Sequence, residues 1–244
     1  MSERWVVGVD GCPGGWVAVA EPVGPPPCGE ARSQRVSAVV ARSLDNLLAR
    51  FEAIDLVGID MPIGLSQSAS RDCDRAARGR LGARGSSVFP APLRPALSAV
   101  THSEASALSR QAGGQGVSAQ AWNIFPKVRD LDGLLRSRPE WRARLVEVHP
   151  ELSFLALNGD LPLPASKHRI DGIYRRRALI AEAFGMAVIE SAVGQLAGTR
   201  VKEDDMLDAF AVLWSARRWM AGKGETLPPD PPSDAQGLPM RIAF

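Results

Sequence analysis

The stretch "VVGVDGCPGGWVAVA", residues 6–20, sets two apolar runs on either side of a glycine-rich turn and ends the first run in an aspartate, Asp10. Residues Gly11 to Gly15 supply a positive or fixed φ, so residues 5–10 and 15–20 read as two strands of a β-hairpin. The carboxylate of Asp10 then stands where a strand buries valines, which is unfavourable unless a partner or a metal compensates the charge. A plainer alternative has Asp10 merely opening the turn.

Working outward, residues 36–41 predict a third short strand, and Ser43 offers an N-cap to a helix whose Leu44, Leu47, Leu48 and Phe51 share one face. In "IDLVGIDMPIGL" residues 54–59 form a second buried-type strand that also ends in an aspartate, Asp60, before Pro62 and Gly64 stop it. The order strand, strand, strand, helix, strand predicts an α/β fold: a mixed β-sheet with helices packed on it. Residues 68–142 then read as an insertion of short helices and loops after the fourth strand. "SVFPAPLRPAL" is too rich in proline for a regular element, and "SRDCDRAARGRLGARG" starts on a serine cap and holds helical spacing until its glycines. A strand is expected again over 144–149, helices over 170–184 and 204–220, and a proline-rich extension over 222–244 that ends in a strand-like piece. With no internal repeat and no long linker, residues 1–244 are expected to form one domain.

Composition narrows the function classes. Hydrophobic residues make up 45% and charged residues 23% of the 244, enough for a full core. The longest apolar run, Ala209 to Trp214, falls far short of the roughly 18–20 residues that span a bilayer. Asp10 and Pro13 interrupt any leader-like core, so a cytoplasmic protein without membrane partners is expected. Three cysteines without a CxxC pair, and histidines only at 102, 149 and 168, argue against a disulfide framework or a structural zinc. The net charge of +2 is uneven: residues 68–144 hold 13 basic and 6 acidic side chains, net +7, against −3 before them and −2 after.

Strand-end acids at 10 and 60 become neighbours if their strands pair, and "KEDDMLDAFAVLW" places Asp205 and Asp208 on one face of a helix that can dock at the same edge. Such carboxylates repel by on the order of 4 kcal/mol per pair at about 4 Å and an effective dielectric near 20. A cation removes that cost, and hard oxygen donors without thiolates select Mg²⁺ or Mn²⁺, the usual apparatus for displacement at phosphodiesters. Asp204 and Asp205 also suit a helix N-terminus, whereas Asp208 lies a turn deeper and needs another reason. Glu147, His149 and Glu151 alternate as on one strand face and would add an acid and a proton carrier, with His149 equally readable as a hydrogen-bonded strand-end residue. Arginines 71, 75, 78, 80 and 84 would line a phosphate surface or pair locally with Asp72 and Asp74; Lys127 and Lys167 are further candidate anion ligands.

"VGVDGCPGGW", "VGIDMPIGL", "CDRAARGRLGARGSSVFPAPLR", "EVHPELSF" and "EDDMLDAFAVLWSARR" together resemble the domain-of-unknown-function 429 family over nearly the whole chain. That resemblance implies a ribonuclease H-like fold and a predicted nuclease. Within the wider superfamily the acid pattern is most similar to Holliday-junction resolvases, which carries over onto Asp10, Asp60, Asp205 and Asp208 as metal and catalytic residues. Asp60 stands where those resolvases typically have the longer glutamate. The leading expectation is therefore an Mg²⁺- or Mn²⁺-dependent phosphodiesterase on nucleic acid, with Glu147 and His149 beside the metals and Arg75, Arg78, Arg84, Lys127 and Lys167 on the substrate. A sugar-kinase or acetate-kinase-like phosphotransferase and a silent binding module of the same fold are the alternatives. The first lacks a second glycine-rich phosphate hairpin.

Overall fold

The computed structural model describes residues 3–25, 28–167 and 169–244. His168 lies outside them. The chain divides into two compact units, one of Met1–Asp60, Arg144–Gly224 and Ala243–Phe244, the other of Met61–Ala143 and Glu225–Ile242. The segment expected as an insertion falls within the second.

The first unit is a five-stranded mixed sheet flanked by helices. Strand β1 (Arg4–Cys12) turns through Pro13 and Gly14 into β2 (Gly15–Pro22), with Asp10 opposite Val17 in the antiparallel register. A single helical turn, α1 (Arg32–Arg35), leads into β3 (Ser37–Ala41), which pairs antiparallel with β2. Helix α2 (Leu44–Leu48) starts where Ser43 accepts a bond from the Asn46 N–H, as the sequence predicts. It leads to β4 (Ala53–Ile59), parallel to β1 with Val9 opposite Ile59.

The second unit follows with α3 (Asp72–Leu81), α4 (His102–Gln111) and α5 (Ala119–Ser137). Alanines 96, 99 and 105 and Phe125 pack there into a small core of their own. The expectation of short helices needs correction at α5, whose 19 residues run through Pro126. Helix α3 also lacks its expected serine cap: Arg71 holds the N-cap position and makes no side-chain cap bond.

The chain returns to the first unit with β5 (Leu145–Glu147), parallel to β4, so the strand order is β3-β2-β1-β4-β5. The strand expected over 144–149 stops early because His149 instead caps α6 (Pro150–Leu157): its ring accepts the Glu151 N–H at 3.3 Å, and Pro150 sits at the first helical position. Helix α7 (Ile170–Phe184) has the expected bounds, α8 (Met186–Gln195) was not anticipated, and α9 (Glu203–Met220) fulfils the last helix expected. Two short strands, β6 (Thr226–Leu227) and β7 (Ile242–Ala243), form a separate two-stranded pairing near the end. Among the described residues no single helix is long and apolar enough to cross a membrane.

Helix α9 is buried on almost every side, with Met206, Leu207, Ala209 to Leu213 and Ala216 all in the core of the first unit. A helix apolar all round belongs inside a protein, and two glycines fix where this one lies. A Cβ on Gly8 would collide with the Ala209 carbonyl and the Leu213 backbone, and one on Gly58 would come 2.9 Å from Val212 Cγ1. The helix thus rests directly on the backbones of β1 and β4, at a height no larger residue permits.

Candidate functional site

That close approach carries the site. Side chains two apart on a strand share a face, so Asp10 follows Gly8, and Asp60 follows Gly58, toward the side where α9 lies. Parallel pairing then puts the two strand ends side by side, with the Asp60 N–H donating to the Val9 carbonyl at 2.9 Å. On α9, Asp208 stands one position before Ala209, which touches Gly8, and one turn before Val212, which touches Gly58. Asp10, Asp60 and Asp208 therefore meet at the carboxyl edge of the sheet.

The three carboxylates are buried to different depths and act on one another. Asp10 is 7% exposed and Asp208 only 2%, while Asp60 is partly buried. Burial, then repulsion from Asp60 and Asp208, pushes the Asp10 carboxyl well above the usual range, against the pull of Lys167. Asp60 is likewise raised, chiefly by burial, though His149, Lys167 and a hydrogen bond with Asp10 restrain it. Burial raises Asp208 to about 6 despite the nearby ammonium. Lys167, in the loop before α7, donates to Asp208 Oδ2 at 2.6 Å. Burial disfavours its charge, but Asp208, Asp10 and Asp60 outweigh that and hold its proton more tightly than usual.

Asp10 also accepts the Gly11 N–H at 2.7 Å, so it serves the turn as well as the cluster. Asp205 lies at the periphery. Its carboxylate accepts the Lys202 N–H at 3.2 Å, a helix-capping contact, and burial raises its proton affinity. Glu147 is buried on β5, in register with Ile59. The expected alternation of Glu147, His149 and Glu151 on one strand face does not occur, because the last two belong to the cap and first turn of α6. His149 nevertheless acts electrostatically on Asp60, and Glu151 acts on both Asp60 and Asp208. The Arg176 guanidinium, buried over the Phe154 ring, holds Glu151 at 2.6 Å, a pairing across 25 residues that leaves no local signal.

The basic residues of the second unit have their own surroundings. Arg71, expected on a phosphate surface or in a local pair, is buried in a two-point pair with Asp74 and also donates to the Ile63 and Gly64 carbonyls. Arg75 pairs with Asp72 at 2.5 Å on the exposed face of α3, the local pairing that was the alternative reading. Arg78 is exposed on the same helix, and Arg84 and Lys127 are partly buried.

Among the described residues no three side chains of His, Cys, Asp or Glu stand arranged to hold a metal ion. The positive charge beside the aspartates is Lys167. In donor chemistry the trio still suits a hard divalent cation: the carboxylates of Asp10, Asp60 and Asp208 are close enough to repel one another and bind protons tightly, and a cation replaces such protons readily.

The fold and this cluster define an α/β protein with three interacting aspartates, two from parallel strand ends and one from a core helix, around a lysine. Residues 8–233 match the family described as "Protein of unknown function (DUF429)", and the chain belongs to that family. No curated protein and no solved structure matches it.

Proposed function

We propose that the protein is a metal-dependent phosphodiesterase of ribonuclease H-like fold that hydrolyses nucleic acid in the cytoplasm. One observation carries the reading: Asp10, Asp60 and Asp208, drawn from three elements, are gathered where their mutual repulsion costs stability. The fold alone does not require such a trio, and α9, seated on Gly8 and Gly58, carries its third member to the ends of β1 and β4. The strand order, with three antiparallel strands followed by two parallel ones, supports the fold assignment.

Asp10, Asp60 and Asp208 would hold Mg²⁺ or Mn²⁺, and the bound ion would activate a water and neutralise charge at the scissile phosphate. The chain's own groups do the rest. Lys167 neutralises the aspartates when no ion is bound and, once released from Asp208, presents an ammonium to a phosphate oxygen. His149, at the cap of α6, acts electrostatically on Asp60 and is the proton carrier of this reading. Glu151, fixed by Arg176, adds negative charge that favours a cation.

The test is hydrolysis of a panel of labelled substrates, single-stranded, duplex and branched DNA and single-stranded RNA, with Mn²⁺ and with EDTA. Cleavage of any substrate that requires Mn²⁺ and is lost in Asp208→Asn supports the reading. Purified protein that binds Mn²⁺ yet cleaves none would leave a silent binding module. ATP-dependent phosphate transfer instead of hydrolysis would return the phosphotransferase.

A further inference from the structure

The first unit holds a second feature far from the aspartates, a cavity of about 660 Å³ bounded by Glu21 and Val23 at the end of β2 and by Trp214, Arg218, Met220 and Lys223 at the end of α9. Ten helical residues separate Asp208 from Arg218, about 15 Å of rise, so the two places are distinct. The volume is that of a small-molecule site.

Its walls have two unlike parts. Val23 is 38% exposed and Met220 43% exposed, an apolar surface left uncovered beside the half-buried Trp214. Next to it stand two cations with no carboxylate partner among the described residues. The Arg218 guanidinium lies over the Trp214 ring at 4.7 Å and has no carboxylate partner among the described residues, and its buried Nε has no hydrogen-bond partner. The Lys223 ammonium makes no ion pair among the described residues. By contrast Arg217 pairs with Glu21 at 3.3 Å. Cations suit a helix C-terminus. That preference does not explain an orphaned buried donor, nor an exposed apolar wall within reach of it.

We infer that the cavity binds a phosphomonoester carrying a flat ring, of mononucleotide size, with the ring on the exposed apolar wall of Val23 and Met220 and the phosphate between Arg218 and Lys223. A phosphomonoester carries about −1.5 to −2 at neutral pH, the charge that these two cations leave unmatched. The planar guanidinium of Arg218 donates from its terminal amino groups in the geometry a phosphate accepts. This site does not depend on the phosphodiesterase reading.

Calorimetric titration of the full chain with 5′-AMP and 5′-UMP tests it, with adenosine and inorganic phosphate as probes of each half. Saturable mononucleotide binding is expected, at least about tenfold tighter than adenosine or phosphate alone. Arg218→Met and Lys223→Met should each weaken it by about fivefold or more and lower its salt dependence, while Asp208→Asn leaves it unchanged. Lys223 is exposed, so its variant tests the cationic wall without risk to the fold. No binding at millimolar nucleotide, binding indifferent to Lys223→Met, or adenosine as tight as 5′-AMP would each overturn the inference. Loss of binding in Asp208→Asn would do so too, by moving the nucleotide to the aspartates.

Discussion

The Nζ of Lys167 stands 2.6 Å from Oδ2 of Asp208, joining a loop to a core helix 41 residues away. Asp208 is almost wholly buried and its partner is about one-third exposed, so the pair bridges the inside of the first unit and its surface. Lys167→Met removes the cation and leaves the aspartates facing one another. Stability at neutral pH in EDTA should fall by roughly 2 kcal/mol, less than the 3–5 expected for breaking a fully buried pair. Denaturant unfolding measures it, and Mn²⁺ should restore most of the loss. An unaltered midpoint would mean that the ammonium does not stabilise the cluster.

A pH dependence follows from the raised proton affinity of Asp208. Its carboxyl is pushed up to about 6 in the fold against an ordinary value of 3.8, so between those values the folded chain binds protons that the unfolded chain has released. Stability must then decline as pH rises from about 4 through 6, by on the order of 2–3 kcal/mol for this group. Asp10 and Asp60, also raised, shift in the same sense. Asp208→Asn should flatten the decline, as read from unfolding free energies in EDTA between about pH 4 and 8. A wild type whose stability climbs over that interval would show that these acids are not buried against one another.

Two glycine substitutions rank the contacts that seat α9. Gly8→Ala drives a methyl into the Ala209 carbonyl and the Leu213 backbone, which cannot rotate away. Gly58→Ala meets Val212 Cγ1 at 2.9 Å and, at 3.1 Å, Ala216 Cβ and the Val212 carbonyl, looser contacts than those of Gly8, of which the valine methyl alone can turn aside. The first should cost upward of about 3 kcal/mol or prevent folding, and the second about 1–3 kcal/mol. Chemical denaturation of the two purified variants gives the order directly, and equal or reversed losses would contradict this seating of the helix.

Much of the first unit is legible in the sequence, because its signals are local. "GVD" and "GID" each end an apolar run, and alternation alone puts each glycine and aspartate on one strand face. The stretch before Asp208 is an acidic helix start and the stretch after it a solid apolar run, so a buried helix carrying one acid was foreseeable. The role of the glycines as the floor under α9 was not, since it depends on what packs above them. His149 misled because its alternation with Glu147 and Glu151 imitates a strand, although Pro150 marks a first helical position. Proline at 126 stands inside α5 without ending it, because the packing of the second unit outweighs a local breaker. The pairs Lys167–Asp208 and Arg176–Glu151 span 41 and 25 residues and leave no periodic trace.

If Asp10, Asp60 and Asp208 are gathered to hold a cation, thermal melts of wild type and Asp10→Asn, each with EDTA and with millimolar Mn²⁺, will separate the two proteins. Asparagine keeps the volume of Asp10, can still accept the Gly11 N–H and bond Asp60, and removes one charge from a repulsive group. The metal-free variant should therefore melt at or slightly above the metal-free wild type. Mn²⁺ should raise the wild-type midpoint through preferential binding to the folded state and leave the variant's unmoved. A variant that melts lower in EDTA, beside a wild type indifferent to Mn²⁺, would contradict the account and leave Asp10 as a residue of the hairpin turn.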